Sequence, residues 1–322
     1  MGRGTRAVLI GVVSLGVVTA GAVALWTGAG PLADPPGCTA TVGGHEVSLS
    51  TEQAENAALI AAIGVRRELP ARAVSIALAT AYQESKITNI ETGDRDSLGI
   101  FQQRPSQGWG TRAEILNPYY SINTFYDALV RVEGYEQMRI TEAAQQVQRS
   151  GFPEAYQDHA EDARALASAL TGYSPGRFTC VVDEAPEGSA KLNSAGLTRP
   201  AAAVRRDLEA AFGELPLGGF APGGVTSGHM AGSAHYEGRA VDVFVRPINA
   251  DNTRLGWSIA SYLVAQADRL DIDHVIFDDR IWTSGRRSES GWRDYNPGDT
   301  SGRSEETVAI LEHRDHVHVD VA

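Results

Sequence analysis

The sequence predicts a multidomain protein in which one N-terminal transmembrane helix precedes a mostly helical domain and then an α+β domain. The chain has 322 residues, about twice the length of a common single domain. Hydrophobic residues make up 43% and charged residues 21%, which is the balance of a folded globular protein. Helical periodicity dominates the first half, whereas short β-rich segments alternate with helices in the second half.

The N-terminal segment indicates a membrane location. Arg3 and Arg6 precede an uncharged apolar run at 7–26, long enough to cross about 30 Å of hydrocarbon as a helix. Because the run exceeds the usual core of a signal peptide, we expect an uncleaved single-pass anchor in the cell membrane. A secreted protein is the alternative if the segment is cleaved. The preceding arginines place the remainder of the chain outside the cytoplasm.

The charge balance argues against nucleic acid as a partner. The net charge is -12, and no part of the chain carries the cluster of basic residues needed to neutralise phosphates. The same reasoning argues against an anionic membrane surface. We therefore expect membrane contact only through the N-terminal helix, and the sequence identifies no protein partner.

The only two cysteines are Cys38 and Cys180. An even pair in an oxidising compartment predicts one disulfide bond. Such a bond would close a long loop and would stabilise the fold by about 4–5 kcal/mol if the effect is entropic. A catalytic thiol is the alternative interpretation.

The helical domain is predicted at 38–182, after an anchor and linker at 1–37. Ser50 and Gln53 form a capping box ahead of an apolar stripe. Pro70 suits the first turn of a second helix. Further segments are a helix opened by Ser121, helices at 141–149 and 153–170, and loops or a small hairpin at 91–112.

The α+β domain is predicted at 198–322, after a Pro-, Gly- and Ser-containing linker at 183–197. Its elements are helices at 199–212 and 253–269 and strands at 241–245, 274–277 and 316–321.

Glu84 is the candidate acid of the helical domain. It ends an apolar helix in the string ALATAYQES, and a turn with the sequence GIFQ follows at 99–102. An apolar pocket would keep such a carboxyl protonated near neutral pH, as glycosidic bond cleavage requires. On its own, however, a glutamate near a helix end is more often a surface residue.

The Glu-Ser pair and the later Gly-aliphatic-hydrophobic-Gln turn resemble the lysozyme-like lytic transglycosylase superfamily, which includes goose-type lysozymes. The resemblance extends over about 45–175, including the strings NPYYSINTFYDAL and AAQQVQRSGFPEAY. It implies a lysozyme-like domain that cleaves glycan strands, with Glu84 as the acid. Gln102 and Tyr119 are the candidate substrate contacts. Tyr82, Phe101, Trp109 and Tyr119 are either sugar-stacking faces or core aromatics.

The partner of Glu84 remains open. Hydrolysis by two carboxyl groups would need a second acid, and Asp94 and Asp96 are the nearest by sequence. The resemblance implies an alternative that needs only one glutamate, because lytic transglycosylases let the 6-hydroxyl of the substrate attack.

The second candidate site combines SAHYEGRAVD at 233–242 with HRDHVHV at 313–319. The first string reads S-x-H-x-x-G-x-A-x-D. The pair resembles the zinc peptidases grouped with D-alanyl-D-alanine carboxypeptidases, murein endopeptidase and the hedgehog fold. The resemblance implies that His235, Asp242 and His318 bind Zn2+. Three protein ligands would leave the fourth tetrahedral position for water, as in catalytic zinc sites.

Strand parity identifies a candidate base. If 316–321 is a strand, His316, His318 and Asp320 share one face, and Val317 and Val319 share the other. His316 would then lie on the zinc-binding face, and we prefer it as the base.

Asp315 and His313 are the other candidates. Asp315 stands three residues before His318, where related carboxypeptidases carry their basic Glu, but it needs a bulge or strand start to point inward. The spacing of His313, His316 and His318 resembles murein endopeptidase, in which the non-ligand histidines assist catalysis.

Both resemblances lead to the same polymer, peptidoglycan. We therefore expect a cell-wall hydrolase that cuts glycan strands through Glu84 and peptides through a zinc site, where Arg293 is a candidate for binding a peptide carboxylate. One alternative is a wall-binding or scaffold protein whose structural zinc has a fourth ligand such as His229 or His316. The other is a hydrolase active only in its first domain.

Overall fold

The structure is a computed structural model that describes residues 36–188 and 190–322. The apolar run at 7–26, which predicts the membrane anchor, lies outside the described residues. Among the helices within these ranges, none combines the length and apolar character that a bilayer-spanning segment requires.

The first half of the described chain contains a small antiparallel sheet beside its helices. Strands β1 (Gly37–Val42) and β2 (His45–Leu49) form a hairpin, and β3 (Phe178–Val181) pairs with the other edge of β1. Gly43 and Gly44 make the turn with φ of 60° and 85°, which two-residue hairpins of this kind require. The two glycines are thus a hairpin signal that the helical interpretation of this region left out.

Helices pack against this sheet. The first begins at a capping box in which the Ser50 side chain accepts from the Gln53 backbone and the Gln53 side chain accepts from the Ser50 backbone, as expected. The helices are α1 (Thr51–Arg66), α2 (Ala71–Ser85), α3 (Arg112–Ile115), α4 (Pro118–Leu129), α5 (Ile140–Gln148) and α6 (Ala160–Leu170).

The second half forms an antiparallel six-stranded sheet in the order β4-β5-β9-β6-β7-β8. The strands are β4 (Leu217–Gly218), β5 (Ala240–Phe244), β6 (Ile272–Phe277), β7 (Arg280–Thr283), β8 (Arg293–Asp294) and β9 (His316–Val321). The helices are α7 (Arg199–Phe212), α8 (Ala250–Ala265) and α9 (Glu305–Leu311).

The predicted parity of β9 is confirmed. Val317 and Val319 belong to the hydrophobic core, whereas His316, His318 and Asp320 line a cavity on the opposite face of the sheet. One face of the central strand therefore holds the fold together and the other carries polar groups.

The predicted disulfide is also confirmed. Cys38 and Cys180 are bonded, and they are cross-strand partners in β1 and β3. Both residues are buried. The bond therefore ties the start of the helical region to its end.

The fold class expected from the sequence is wrong. Pro36–Ala322 forms one compact α+β unit, not a mostly helical domain followed by a separate α+β domain. Helix α8 packs on α1 as well as on its own sheet, and the Gln266 side chain donates to the Glu55 carbonyl at 3.1 Å. Apolar periodicity shows which face of a helix is buried but not what covers it, so a shared core escaped prediction. The described residues of 183–197 form neither helix nor strand.

Candidate functional site

The candidate metal ligands come from adjacent segments of the second half. Asp242 in β5 and His318 in β9 are direct cross-strand partners, so their side chains lie on the same face of the sheet. His235 lies in a short 3-10 turn, Ala234–Glu237, just before β5. The chain enters β5 through Gly238, whose φ of 68° favours glycine.

Three atoms of these side chains converge on one buried point. His235 Nε2 lies 3.1 Å from His318 Nδ1 and 3.2 Å from Asp242 Oδ1, and His318 Nδ1 lies 2.9 Å from the same oxygen. All three residues are buried. The fold therefore brings together the residues predicted as ligands.

The outer contacts of the two histidines indicate where their protons lie. His235 Nδ1 is 2.7 Å from the Gly219 carbonyl, and His318 Nε2 is 2.8 Å from Asp320 Oδ1. Carbonyl and carboxylate oxygens only accept, so both of these ring nitrogens carry hydrogen. If both rings are neutral, their other nitrogens direct lone pairs at Asp242, and a cation at the centre would satisfy all three atoms.

The electrostatics of the site favour positive charge at this point. Burial alone would raise the pKa of Asp242, but hydrogen bonds from His235 and His318 outweigh it and hold the pKa well below its usual range. Burial alone would lower the pKa of His318, but Asp320 and Asp242 reverse this effect and raise the pKa to about 10. A proton on His318 and a bound cation are therefore alternative ways to satisfy the same arrangement.

Among the described residues, two sets of side chains have ligand atoms close enough to share a metal ion. They are His229 with His235 and Asp242, and His274 with His318 and Asp320. The triangle of His235, Asp242 and His318 shares His235 and Asp242 with the first set and His318 with the second. The His229 ring is stacked alongside that of His235 at a centroid distance of 3.9 Å. The protein thus has histidine and aspartate groups that could hold a metal ion.

His316, the preferred base, lies beside the triangle. Its Nδ1 is 2.7 Å from Asp315 Oδ1, and its Nε2 is 3.8 Å from Asp242 Oδ1. The second oxygen of Asp315 accepts from Arg246 Nε at 2.7 Å. Because the carboxylate only accepts, His316 Nδ1 carries hydrogen, and a neutral ring keeps its lone pair on Nε2. Asp315, the other candidate base, is engaged on both oxygens.

His313 lies on the same side of the site. Its ring centroid is 4.6 Å from that of His316 and 5.4 Å from that of His318. Burial and the neighbouring histidines lower the pKa of His313 to about 3. Its ring is therefore neutral under ordinary conditions.

A cavity of about 540 Å³ opens on this group of residues. Apolar side chains, among them Phe244, Ile276 and Leu311, line it together with the histidines. Tyr295, which follows β8, also lines the cavity. Arg293 lies in β8 opposite Ile281, and its guanidinium donates to Thr283 Oγ1 at 2.7 Å. The structure thus places Arg293 on β8, the edge strand of the sheet.

Glu84 is half-buried at the carboxyl end of α2. Its Oε1 accepts a hydrogen bond of 2.7 Å from the Tyr156 hydroxyl. Burial raises the pKa of Glu84, and hydrogen bonds from Tyr156 and Gln148 offset this effect only in part. The carboxyl group is therefore held toward its protonated form.

The GIFQ turn packs directly on the end of α2. Ser85 Oγ donates to the Ile100 carbonyl at 2.7 Å, and Phe101 stacks on Phe125 with centroids 4.3 Å apart. Gln102 adopts a φ of 47°, and its side-chain amide donates to the Gly99 carbonyl within the turn. The sequence pattern thus corresponds to one contact between a helix end and a tight turn.

Asp94 and Asp96, the candidates for a second catalytic acid, each lie near an arginine. Asp96 accepts from Arg104 Nε at 2.7 Å and from the Ser106 backbone at 2.8 Å. These hydrogen bonds hold the pKa of Asp96 well below its usual range, and those from Ser106 have the largest effect. Asp94 is exposed and lies 3.8 Å from Arg95.

The candidate sugar-stacking aromatics are dispersed. Phe101 is fully buried. Tyr82 packs against His159 with ring centroids 4.5 Å apart. Trp109 lines a groove of about 870 Å³ that also includes Gln148, whose side chain hydrogen-bonds Glu84.

Tyr119 lies at the contact between the two halves of the sequence. Burial raises its pKa, as does the charge of Asp207, and it hydrogen-bonds Tyr262. Both partners belong to the second half, so this tyrosine takes part in the packing of the compact unit.

Several residues of the two sites were not predicted. Tyr156 ends the string AAQQVQRSGFPEAY, but no role was assigned to it from the sequence. The Gly219 carbonyl comes from a distant segment that no local pattern marks. Asp320 had a signal, because it stands two residues after His318 on the same face of a strand. His274 pairs with Asp320 across the sheet, and this pairing depends on strand order.

Comparison with known proteins gives one partial match. A family model described as VldE, C-terminal domain, matches residues 193–307. The matched stretch includes His235 and Asp242 and ends before β9. The chain is thus similar to that domain over part of its length. No curated protein matches the chain significantly.

Proposed function

We propose that the protein is a peptidoglycan hydrolase of the extracytoplasmic space, which cuts cell-wall peptides at a zinc site and glycan strands at Glu84. The proposal depends chiefly on the triangle of His235, Asp242 and His318, where three atoms that can bind a metal meet at one buried point. The sequence pattern shared with zinc peptidases and the cavity over the triangle support the peptidase activity.

Zn2+ fits the donor atoms of this triangle. Ligand atoms at 2.0–2.1 Å from a tetrahedral centre lie about 3.3 Å from one another, and the edges of the triangle measure 2.9, 3.1 and 3.2 Å. Two imidazoles and one carboxylate form a donor set that zinc accepts. When bound, the ion would polarise a peptide carbonyl and increase the acidity of water at its open position.

His316 acts as the general base in this proposal. Its Nε2 takes the proton of the attacking water and passes it to the leaving amine. Asp315 holds the ring through the Nδ1 hydrogen, and Arg246 holds Asp315. A histidine base oriented by a carboxylate is a familiar arrangement in hydrolases.

Glu84 acts alone in the proposed glycan cleavage. It donates its proton to the glycosidic oxygen as the bond to the anomeric carbon breaks. The 6-hydroxyl of the same sugar forms the new bond to that carbon, and its proton returns to Glu84. We favour this transglycosylase reaction over two-carboxylate hydrolysis because Asp96 is held by Arg104 and Ser106 and Asp94 is exposed to solvent.

The disulfide supports a location outside the cytoplasm. Structural disulfides persist in oxidising compartments and are rare in the cytosol. Peptidoglycan occupies the same side of the membrane, so the substrate and the folded unit would meet there.

Mass spectrometry of muropeptides released from purified peptidoglycan by the full-length protein tests the proposal. We expect peptide products that disappear after zinc chelation, and glycan products with anhydro ends that persist. Reducing ends would indicate two-carboxylate hydrolysis instead. Retention of zinc without any cleavage would support the scaffold alternative, with His229 completing a closed metal sphere.

A further inference from the structure

Asp320 bridges two histidines on the site face of the sheet. Its Oδ1 lies 2.8 Å from His318 Nε2, and its Oδ2 lies 2.8 Å from His274 Nε2. Both contacts are close ion pairs, and the one to Oδ1 does not meet hydrogen-bond geometry. A carboxylate oxygen this close to a ring nitrogen favours a hydrogen on that nitrogen. The carboxylate is nearly fully buried, with 6% of its residue surface exposed.

The backbone builds this bridge through a local irregularity. Asp320 pairs with His274 across β9 and β6, and the register of β6 shifts between Ile272 and His274. Such a bulge changes the direction of a side chain and is common beside active sites. His274 is fixed at its other nitrogen as well, because Nδ1 lies 3.2 Å from Asp273 Oδ2.

We infer that the Asp320–His274 pair is a positioning device that makes His318 bind zinc through Nδ1. Asp320 holds the hydrogen of His318 on Nε2, so Nδ1 is the nitrogen left with a lone pair. His274 holds the second oxygen and thereby the orientation of the carboxylate. His235 needs no such pair because the Gly219 carbonyl already fixes its tautomer.

This inference rests on the proposed zinc site and adds residues that the sequence pattern does not assign. Partners that orient a metal-bound histidine typically contribute 10- to 100-fold to metal affinity. The alternative is a separate cation site formed by His274, His318 and Asp320. The two arrangements differ in metal stoichiometry, since a separate site would add a second ion per chain.

The test measures metal binding by the full-length protein, independently of activity. We expect Asp320→Ala to bind zinc 10- to 100-fold more weakly than wild type, with a changed visible absorption spectrum after Co2+ substitution. His274→Ala should give a smaller loss because Asp320 remains. Asp207→Ala is the matched control: this aspartate is also largely buried and bonds Tyr262 and Arg269, but it lies outside the site, so metal affinity should not change.

Nuclear magnetic resonance of the zinc-loaded wild type covers the case in which Asp320→Ala fails to fold. We expect His318 to carry hydrogen on Nε2 and zinc on Nδ1, and the reverse would overturn the inference. Zinc affinity within twofold of wild type in a folded Asp320→Ala protein would also overturn it. The inference would also be overturned if the wild type bound two ions per chain and the Asp320→Ala protein lost one of them. A wild type that binds neither zinc nor cobalt would instead refute the proposed site itself.

Discussion

The Tyr156 hydroxyl donates a hydrogen bond of 2.7 Å to Glu84 Oε1. This bond and the burial of Glu84 act in opposite directions on the carboxyl group. Burial raises the pKa of Glu84, whereas the hydrogen bond stabilises the carboxylate and lowers it. Burial therefore favours the protonated form of Glu84, and hydrogen bonds from Tyr156 and Gln148 oppose this effect in part.

Replacing Tyr156 with Phe should extend glycan cleavage to higher pH. Loss of the hydrogen bond removes a stabilising contact of the carboxylate, so the pKa of Glu84 rises further and the acid form persists longer as pH increases. The check is a pH profile of kcat/KM for glycan cleavage. Tyr126→Phe is the control, since that hydroxyl bonds the Ile60 carbonyl. An alkaline limb that stays in place or moves to lower pH in Tyr156→Phe would contradict this assignment.

Glu84→Gln should abolish the release of glycan fragments while leaving the fold intact. The amide keeps the shape of the side chain but cannot donate the required proton. Glu91→Gln, a change in the exposed loop after α2, should retain activity. Products are measured by mass spectrometry, and folding by circular dichroism. Glycan cleavage near the wild-type level in Glu84→Gln would show that another group is the acid.

Alanine at His235, Asp242 or His318 should remove zinc from the protein, because each change leaves only two of the three converging groups. His316→Ala should keep the ion and lose peptide cleavage by about 10²- to 10⁴-fold, the usual contribution of a general base. Metal analysis and turnover of a cross-linked muropeptide are measured on the same preparations.

His45→Ala is the control for these histidine variants, since His45 pairs with Asp162 at 2.7 Å outside the cavity. Zinc loss in His316→Ala would make that residue a ligand and favour a closed structural site. Unchanged turnover would transfer the role of base to Asp315 or His313.

Replacing Cys38 and Cys180 together with alanine should lower the free energy of unfolding by about 2–5 kcal/mol, the usual cost of losing a native disulfide. The closed loop spans a sequence separation of 142 residues, which gives the bond a large effect on the unfolded chain. Urea denaturation measures the difference. A loss below about 1 kcal/mol would mean that the unfolded chain gains little freedom when the bond is removed.

The candidate metal ligands were located through the resemblance of two sequence strings to zinc peptidases. Strand parity then placed His316 and Asp320 on the same face as His318, because side chains alternate along a strand. The prediction of the fold class was wrong because local rules do not determine which helices pack together. The apolar faces of α1 and α8 were recognisable, but their contact with each other depends on long-range packing.

By itself, the sequence determined the cysteine pair, the strand that carries His318 and the helix that ends at Glu84, because each is set by composition or by a short period. Only the tertiary structure decided how these groups are tuned. The hydrogen on His235 is placed by the Gly219 carbonyl, the hydrogen on His318 by Asp320, and the proton of Glu84 is influenced by Tyr156. A tautomer or a pKa depends on whichever group packs against a side chain, and periodicity carries no information about that partner.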